Sequence, residues 1–302
     1  MPAAAEKKKN RKKKKQTRDT TQNMSKLSPS LKALINAPFA RPGQAPAPRH
    51  IRDVYTRIAH EARERKYGER PWVTLSVTAT FTLNSPASLL ILHDLASSSL
   101  SPLTTAQLIR EIGLKCISFN GIPRTINCLG AFKTGIAHHD WATTTSLTTT
   151  SPSRAVTSSN VDAVTARGRA LWKSIYTPLD EKLEARLAES HPDLPVHILG
   201  SHYGPLLADP PPPGHHHHHH HHHHPVGRSL TSVVAISCLR AQTGVGPQVL
   251  SHVFGLRKGV EQGLHLQEFG GGLDSKEAEA EAEGVERLAE EEGCEWLLRS
   301  VD

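Results

Sequence analysis

Apolar residues recur every three or four positions along this chain, and that spacing restricts the possible folds more than any other feature. In residues 50–66, Val54, Tyr55, Ile58 and Ala62 share one helical face. Side chains at this spacing form a stripe that a helix buries against a neighbour. The pattern predicts helices over residues 50–66, 85–96, 104–118, 122–132, 164–187 (with a break at Thr177–Pro178), 230–241, 246–258 and 277–292.

One stretch departs from the helical pattern. Residues 72–82 are rich in Val and Thr, and their apolar positions alternate at Val73, Leu75 and Val77. Branched side chains in alternation are typical of strands. On propensity alone, this stretch is therefore predicted to be a strand.

The net charge of +7 is distributed very unevenly. Residues 1–24 hold nine Lys or Arg against two acids, whereas residues 274–302 hold eleven acids against three bases. Such runs of one charge sign are typical of solvated segments. We expect residues 1–23 to be a disordered basic tail and residues 270–302 to be an acidic C-terminal segment. Within that segment, residues 277–292 are predicted to form a solvated helix, and Trp296, Leu297 and Leu298 are expected to dock a terminal turn. Nucleic-acid binding is expected only through the basic tail.

The sequence excludes several protein classes. Its apolar runs are far shorter than the ~20 residues that a membrane-spanning helix needs, and no secretory signal is recognisable. Four cysteines lie far apart, at Cys116, Cys128, Cys238 and Cys294. In a chain without an export signal, such cysteines are expected to be reduced and buried. A secreted disulfide-rich protein and an integral membrane protein are therefore not expected, and the chain is predicted to have no membrane partner.

The N-terminal region leaves the location of the protein open. Residues 20–52 contain no acid, and Met24 is an alternative start, which together suit a mitochondrial transit peptide. Against this, Leu27, Leu31, Leu34 and Ile35 have helical spacing behind Ser28 or Ser30, so a short capped helix is the competing prediction. We expect a cytoplasmic or mitochondrial protein, with a nuclear location through the lysine-rich N-terminus as an alternative.

Low-complexity segments divide the chain. Residues 38–48 form a proline-rich linker, residues 140–160 a Ser/Thr-rich loop, and residues 210–225 an insert of prolines followed by ten histidines. Because the histidine tract lies between proline runs in mid-chain, a natural repeat expansion is favoured over an expression tag. Imidazoles bind metals adventitiously, but a tract without fixed spacing predicts no metal site.

The segment 108–132 carries a Glu on one helix, a Gly-x-Pro turn and a second helix with an Asn. These residues are Glu111, Gly121, Pro123 and Asn127. The arrangement resembles the superfamily of AhpD-like proteins and carboxymuconolactone decarboxylases. That resemblance implies an all-α fold, an AhpD-like helical bundle.

The resemblance extends to both sides of this helix pair. In the family, an apolar helix precedes a helix that ends in His, which would make residues 72–82 a buried helix before His93. Residues 228–252 have the same shape and end at His252, so a second diverged copy is predicted. The resemblance thus implies units at 24–139 and 161–269, the latter containing the insert. It also implies a homo-oligomer or an intrachain pseudo-dimer.

The redox motif of the peroxidase branch is missing. AhpD-type peroxidases carry Cys-x-x-Cys with a His four residues on, and here Pro86 and Leu89, and likewise Val245 and Gln248, occupy the cysteine positions. Dithiol peroxidase activity by that route is therefore not expected. Cys116 and Cys128 remain a candidate pair, with two separate core residues as the alternative.

The decarboxylase branch instead uses acid–base groups, and by analogy Glu111, His93 and His252 are the candidate catalytic residues. Arg124 and His138–His139 could bind a carboxylate or could simply be exposed. If the protein is an enzyme, it would be a lyase-like catalyst that acts on a small carbonyl or carboxylate compound without a cofactor. The alternative is a non-catalytic helical scaffold or interaction protein with charged tails.

Overall fold

The computed structural model describes residues 27–143, 153–209, 226–269 and 275–302. Within these ranges the regular elements are all helical, and none is a strand. The all-α prediction is confirmed. The basic tail, Met24, the middle of the Ser/Thr-rich loop and the Pro/His-rich insert lie outside the described residues.

The chain divides into two compact units, residues 1–44 and 45–302. In the first unit, helix α1 (Pro29–Ile35) begins at Ser28, whose hydroxyl accepts a hydrogen bond from the Leu31 amide at 3.2 Å. A 3₁₀ turn, Pro38–Ala40, follows. The short capped helix predicted here is confirmed.

The second unit is built from fourteen described α-helices and one π-helical segment. The helices before the Ser/Thr-rich loop are α2 (Ile51–Glu64), α3 (Glu69–Thr82), α4 (Pro86–Ala96), α5 (Pro102–Lys115), α6 (Ile117–Asn120) and α7 (Ile122–Ile136). The elements after it are α8 (Val161–Tyr176), α9 (Asp180–Ser190), α10 (Asp193–His197), the π-helical segment (Ile198–Leu207), α11 (Arg228–Gln242), α12 (Gly246–Glu261), α13 (Leu264–Phe269), α14 (Ser275–Ala289) and α15 (Glu291–Val301). The predicted helices are present, whereas 193–207 was not predicted to be helical. No described helix is long and apolar enough to cross a membrane.

Helices α3 and α11 pack against each other at the centre of the unit and are buried along nearly their whole length. The strand prediction for residues 72–82 is therefore wrong, and the helix implied by the family resemblance is correct. Thr side chains fit a buried helix because their hydroxyls can donate to the carbonyl four residues earlier. Thr80 does so to Ser76 at 2.7 Å, and Thr82 to Thr78 at 2.9 Å. Tertiary burial thus outweighs local propensity.

The acidic C-terminal segment is helical, as predicted, but it is not a solvated tail. Val285 and Leu288 of α14 and Leu297 of α15 are fully buried in the main core. At Gly284 a Cβ would lie 2.5 Å from the Tyr67 carbonyl carbon, so α14 approaches the chain before α3 more closely than a side chain would permit. The acidic residues of α14 other than Glu281 are exposed, and the apolar stripe on the inner face covers α3.

Two carboxylates, one buried and one partly buried, cap the central helices. Glu281 of α14 accepts hydrogen bonds from the backbone amides of Glu69 and Arg70 at the start of α3, at 3.0 and 3.2 Å. Glu268 of α13 does the same for Ser229 and Leu230 at the start of α11, at 2.7 and 3.0 Å. A helix N-terminus has unpaired amides and a partial positive charge, and a carboxylate satisfies both. The two central helices are therefore capped in the same way from outside their own sequence.

We predict that Glu281→Gln changes how stability depends on pH. Burial raises the pKa of Glu281 from 4.5 to about 7, so the folded protein favours the protonated carboxyl. The stability from that proton is present below pH 4.5 and is lost as the pH rises through 7. Glutamine keeps a neutral acceptor oxygen at every pH. Relative to wild type, the variant should gain about 2–3 kcal/mol in free energy of unfolding between pH 5 and 8.

Urea unfolding of both proteins at matched pH values measures this difference, and the contribution of the histidines cancels in the comparison. Glu279→Gln is the control, because Glu279 is exposed on the same helix. A constant difference between wild type and Glu281→Gln across this pH range would contradict the prediction.

Candidate functional site

His93 lies on α4 beside a cleft of about 360 Å³. Its Nε2 atom is 3.0 Å from the carbonyl oxygen of Pro102, the first residue of α5. Since a carbonyl can only accept, Nε2 carries the proton and Nδ1 keeps the lone pair. Burial lowers the pKa of His93, and this outweighs the opposing effect of the Pro102 carbonyl. The imidazole is thus neutral at pH 7 and able to accept a proton.

Aromatic rings surround His93 in the cleft. Trp141, from the 3₁₀ turn Asp140–Thr143, stacks on His93 with ring centres 5.1 Å apart and on His139 at 5.3 Å. The ring of His138 lies 4.0 Å from that of His139. The cleft is lined by these four rings together with Leu90, Asp94, Ser97, Pro102, Gly135 and Ile136. A small planar molecule with a polar group suits such a lining.

One of the residues predicted to bind a carboxylate, Arg124, lies away from this cleft. His138 and His139 are exposed residues that line the cleft. Their position therefore fits both alternatives for the pair, carboxylate binding and simple exposure to solvent. Arg124 instead donates to the carbonyl oxygen of Thr82 at 2.7 Å, at the end of α3. It therefore caps a helix and takes no part in the lining.

His252 lies on α12 in a different, fully enclosed place. Its Nε2 atom is 3.4 Å from the Tyr176 hydroxyl, which is in turn 3.1 Å from the Tyr203 hydroxyl. The Nδ1 atom of His252 is buried and has no hydrogen-bond partner in the part of the chain that the structure describes. Burial, with a smaller effect of nearby Arg228, lowers the pKa of His252 to about 4. His252 is therefore a neutral core histidine at physiological pH.

Arg228 explains much of the environment of His252. Its guanidinium donates to the Ser174 hydroxyl at 2.8 Å, to the Gly255 carbonyl at 2.9 Å and to the Ser232 hydroxyl at 2.5 Å. Burial lowers the pKa of Arg228 to about 10. This arginine joins α8, α11 and α12, and its charge opposes a second positive charge on His252.

Glu111, the third predicted catalytic residue, is part of a buried ion network. Both of its carboxylate oxygens accept from Arg154, at 2.5 and 3.2 Å, and the Arg154 guanidinium is also 3.7 Å from Asp209. Each of the two charged side chains in the close pair is only 12% exposed. A carboxylate whose two oxygens are both held by a guanidinium is positioned to fix a loop to α5.

Lys115, one turn further along α5, completes this network. Its side chain is fully buried, and its Nζ atom donates to the carbonyl oxygens of Leu207 and Val226, to Asp209 Oδ1 and to Thr231 Oγ1, all at 2.8–2.9 Å. Asp209 and Val226 are the described residues on either side of the Pro/His-rich insert. One ammonium group therefore holds the two ends of the insert together.

The three predicted catalytic residues are not brought together. His93 contacts Pro102 and Trp141, His252 contacts Tyr176, and Glu111 binds Arg154. Among the described residues, no group of three or more His, Cys, Asp or Glu is arranged to hold a metal ion. Of the three residues, His93 lines the cleft of about 360 Å³ described above, and Glu111 and His252 are not part of its lining.

Several residues of these sites were not predicted from the sequence. Lys115 was detectable, because it follows Leu108 and Ile112 at helical spacing on a face that is otherwise apolar. Trp141 and Arg154 lie in a Ser/Thr-rich region with no periodic pattern, so no sequence signal pointed to their contacts.

Replacement of Lys115 tests the ion network. Lys115→Met should lower the free energy of unfolding by about 3–5 kcal/mol, because it leaves two buried carbonyls without their donor and the partly exposed Asp209 without its close ion-pair partner. Lys182→Met is the control, since Lys182 is exposed on α9 and its loss should cost less than about 0.5 kcal/mol. Thermal and urea unfolding measure both variants, and equal stability of the two would refute a supporting role for Lys115.

Comparison with protein-family models, with curated proteins and with solved structures finds no match to this chain.

Proposed function

We propose that this protein is a diverged member of the AhpD-like and carboxymuconolactone decarboxylase superfamily. In this proposal it performs acid–base chemistry on a small carbonyl or carboxylate compound in the cleft at His93. The observation that carries the proposal is the position of His93, a neutral imidazole whose Nε2 is anchored on the Pro102 carbonyl beside a ring-lined cavity. Anchoring one nitrogen fixes the ring and leaves the other for proton transfer.

The arrangement of helices supports the family assignment. Each central helix is followed by a helix that carries a buried histidine, His93 after α3 and His252 after α11. The Gly-x-Pro turn of the resemblance is in place as well: Gly121, at φ 78°, precedes α7, and Pro123 lies in its first turn. A positive φ favours glycine, so this turn depends on Gly121. These features fit two diverged copies of one helical unit.

The proposed chemistry uses His93 as the group that moves the proton. Neutral His93 would accept a proton from the carbon next to a carbonyl, or, once protonated, would return one to the carbanion left by loss of CO₂. The imidazoles of His138 and His139 are placed to bind a carboxylate at the entrance. Glu111 and His252 do not line the cleft, and in this proposal they support the fold instead of touching the substrate.

Proton exchange in D₂O tests this proposal directly. The full-length protein is incubated with a panel of small 2-oxo and 3-oxo carboxylates, and loss of the α-proton signal is followed by ¹H NMR. His93→Gln should reduce the exchange rate by about 10²-fold or more. The matched control is His60→Gln, because the side chain of His60 is 70% exposed on α2.

The pH dependence of exchange gives a second readout. A base is active when deprotonated, and the pKa of His93 lies below the ordinary histidine value of 6.5. The exchange rate of wild type should therefore rise with pH, with its midpoint below pH 6.5. Exchange that is equal in wild type and His93→Gln would contradict the assignment.

A non-catalytic interaction protein is the second candidate function. It is favoured by the first unit, where Leu27, Leu31, Leu34, Ile35 and Phe39 are all exposed. Exposed apolar residues grouped along a short segment are typical of a surface that binds a partner. Absence of exchange with every compound of the panel, together with unchanged ligand-observed NMR signals between wild type and His93→Gln, would favour this second function.

A further inference from the structure

Two cysteines that are far apart in the sequence meet inside the core. Cys116 lies at the C-terminal end of α5 and Cys238 lies on α11, and their Sγ atoms are 3.7 Å apart. Both side chains are fully buried. The sulfur that meets Cys116 therefore belongs to Cys238, whereas the sequence suggested Cys128. To form a disulfide bond of ~2.05 Å, the two sulfurs would have to approach each other by about 1.7 Å.

The surroundings of the pair distinguish its two members. Asn120 donates from Nδ2 to the Sγ atom of Cys238 at 3.3 Å. Asn120 is itself held by hydrogen bonds with Thr82 at 3.0 Å and with Gln242 at 3.4 Å. A fixed N–H donor stabilises negative charge on the sulfur that it faces. Because Asn120 faces Cys238, we assign Cys238 as the sulfur that attacks an oxidant.

We propose that Cys116 and Cys238 form a disulfide when the protein meets a hydroperoxide, and that this modification cross-links α5 to α11. The Cys238 sulfur attacks the O–O bond, which yields a sulfenic acid on Cys238 and one molecule of alcohol (water from hydrogen peroxide) that takes up the thiol proton. The Cys116 sulfur then displaces the hydroxyl from Cys238, and this hydroxyl leaves as water with the Cys116 proton. Two electrons pass from the two sulfurs to the peroxide oxygens.

The other two cysteines lack this geometry. Cys294 donates from Sγ to the carbonyl oxygens of Leu288 and Ala289, at 3.5 and 3.7 Å. Of the four cysteines, only Cys116 and Cys238 have sulfurs in mutual hydrogen-bond contact among the described residues. Oxidation is therefore expected to produce one defined cross-link.

Peptide mapping of the native full-length protein tests the proposal. The protein is treated with hydrogen peroxide, blocked with N-ethylmaleimide, digested with trypsin without reductant and analysed by mass spectrometry. The four cysteines fall on separate tryptic peptides, spanning residues 116–124, 125–133, 229–240 and 288–299. The expected product is the linked pair 116–124 with 229–240, about 2 Da lighter than the sum of the free peptides and separated by dithiothreitol.

Two variants and a melting experiment complete the test. Cys128→Ala should keep the cross-link, whereas Cys116→Ala should lose it. In wild type, oxidation should raise the melting temperature, because a bridge between residues 116 and 238 restricts the unfolded chain. If a variant fails to fold, the peptide map of the wild-type protein still tests whether the cross-link forms. Labelling of all four thiols after peroxide treatment, or a cross-link that contains Cys128 or Cys294, would overturn the proposal.

Discussion

The whole fold depends on the burial of two helices, α3 and α11, that have almost no contact with solvent. A helix buried on every side must find partners for its first amides, because water cannot reach them. Here the partners are carboxylates, Glu281 for α3 and Glu268 for α11, each supplied by a helix far away in the sequence. The C-terminal helices are therefore part of the core, since without Glu281 the start of α3 would be left unpaired.

Buried polar groups in this protein divide into those that hold the fold together and one that borders a cavity. The charged groups of Lys115 and Glu111 are engaged in hydrogen bonds and ion pairs. These contacts join α5 to the chain on both sides of the insert. His93 is different, because among the described residues only its Nε2 has a hydrogen-bond partner, and its ring lines a cleft. That difference is why the proposed chemistry is assigned to His93 and not to Glu111.

The same reasoning changes the expectation for the cysteines. The sequence suggested a pair on one helical hairpin, Cys116 with Cys128, whereas the structure brings Cys116 to Cys238 on the second central helix. The packing of α11 beside the end of α5 creates this contact. The proposed oxidative cross-link would join the two halves of the chain, and it lies apart from the cleft proposed for acid–base chemistry.

The sequence by itself determined where most of the helices lie, because a helix is recognised from residues three and four positions apart, as with Ile58 and Ala62 on α2. It also marked the Gly121 turn and named His93, which borders the cleft. Only the tertiary structure decided that residues 72–82 are helical, that Glu281 is buried and that His93, Glu111 and His252 lie in separate places. These outcomes depend on contacts between residues dozens to hundreds of positions apart, and no local spacing encodes which distant helix covers a given face.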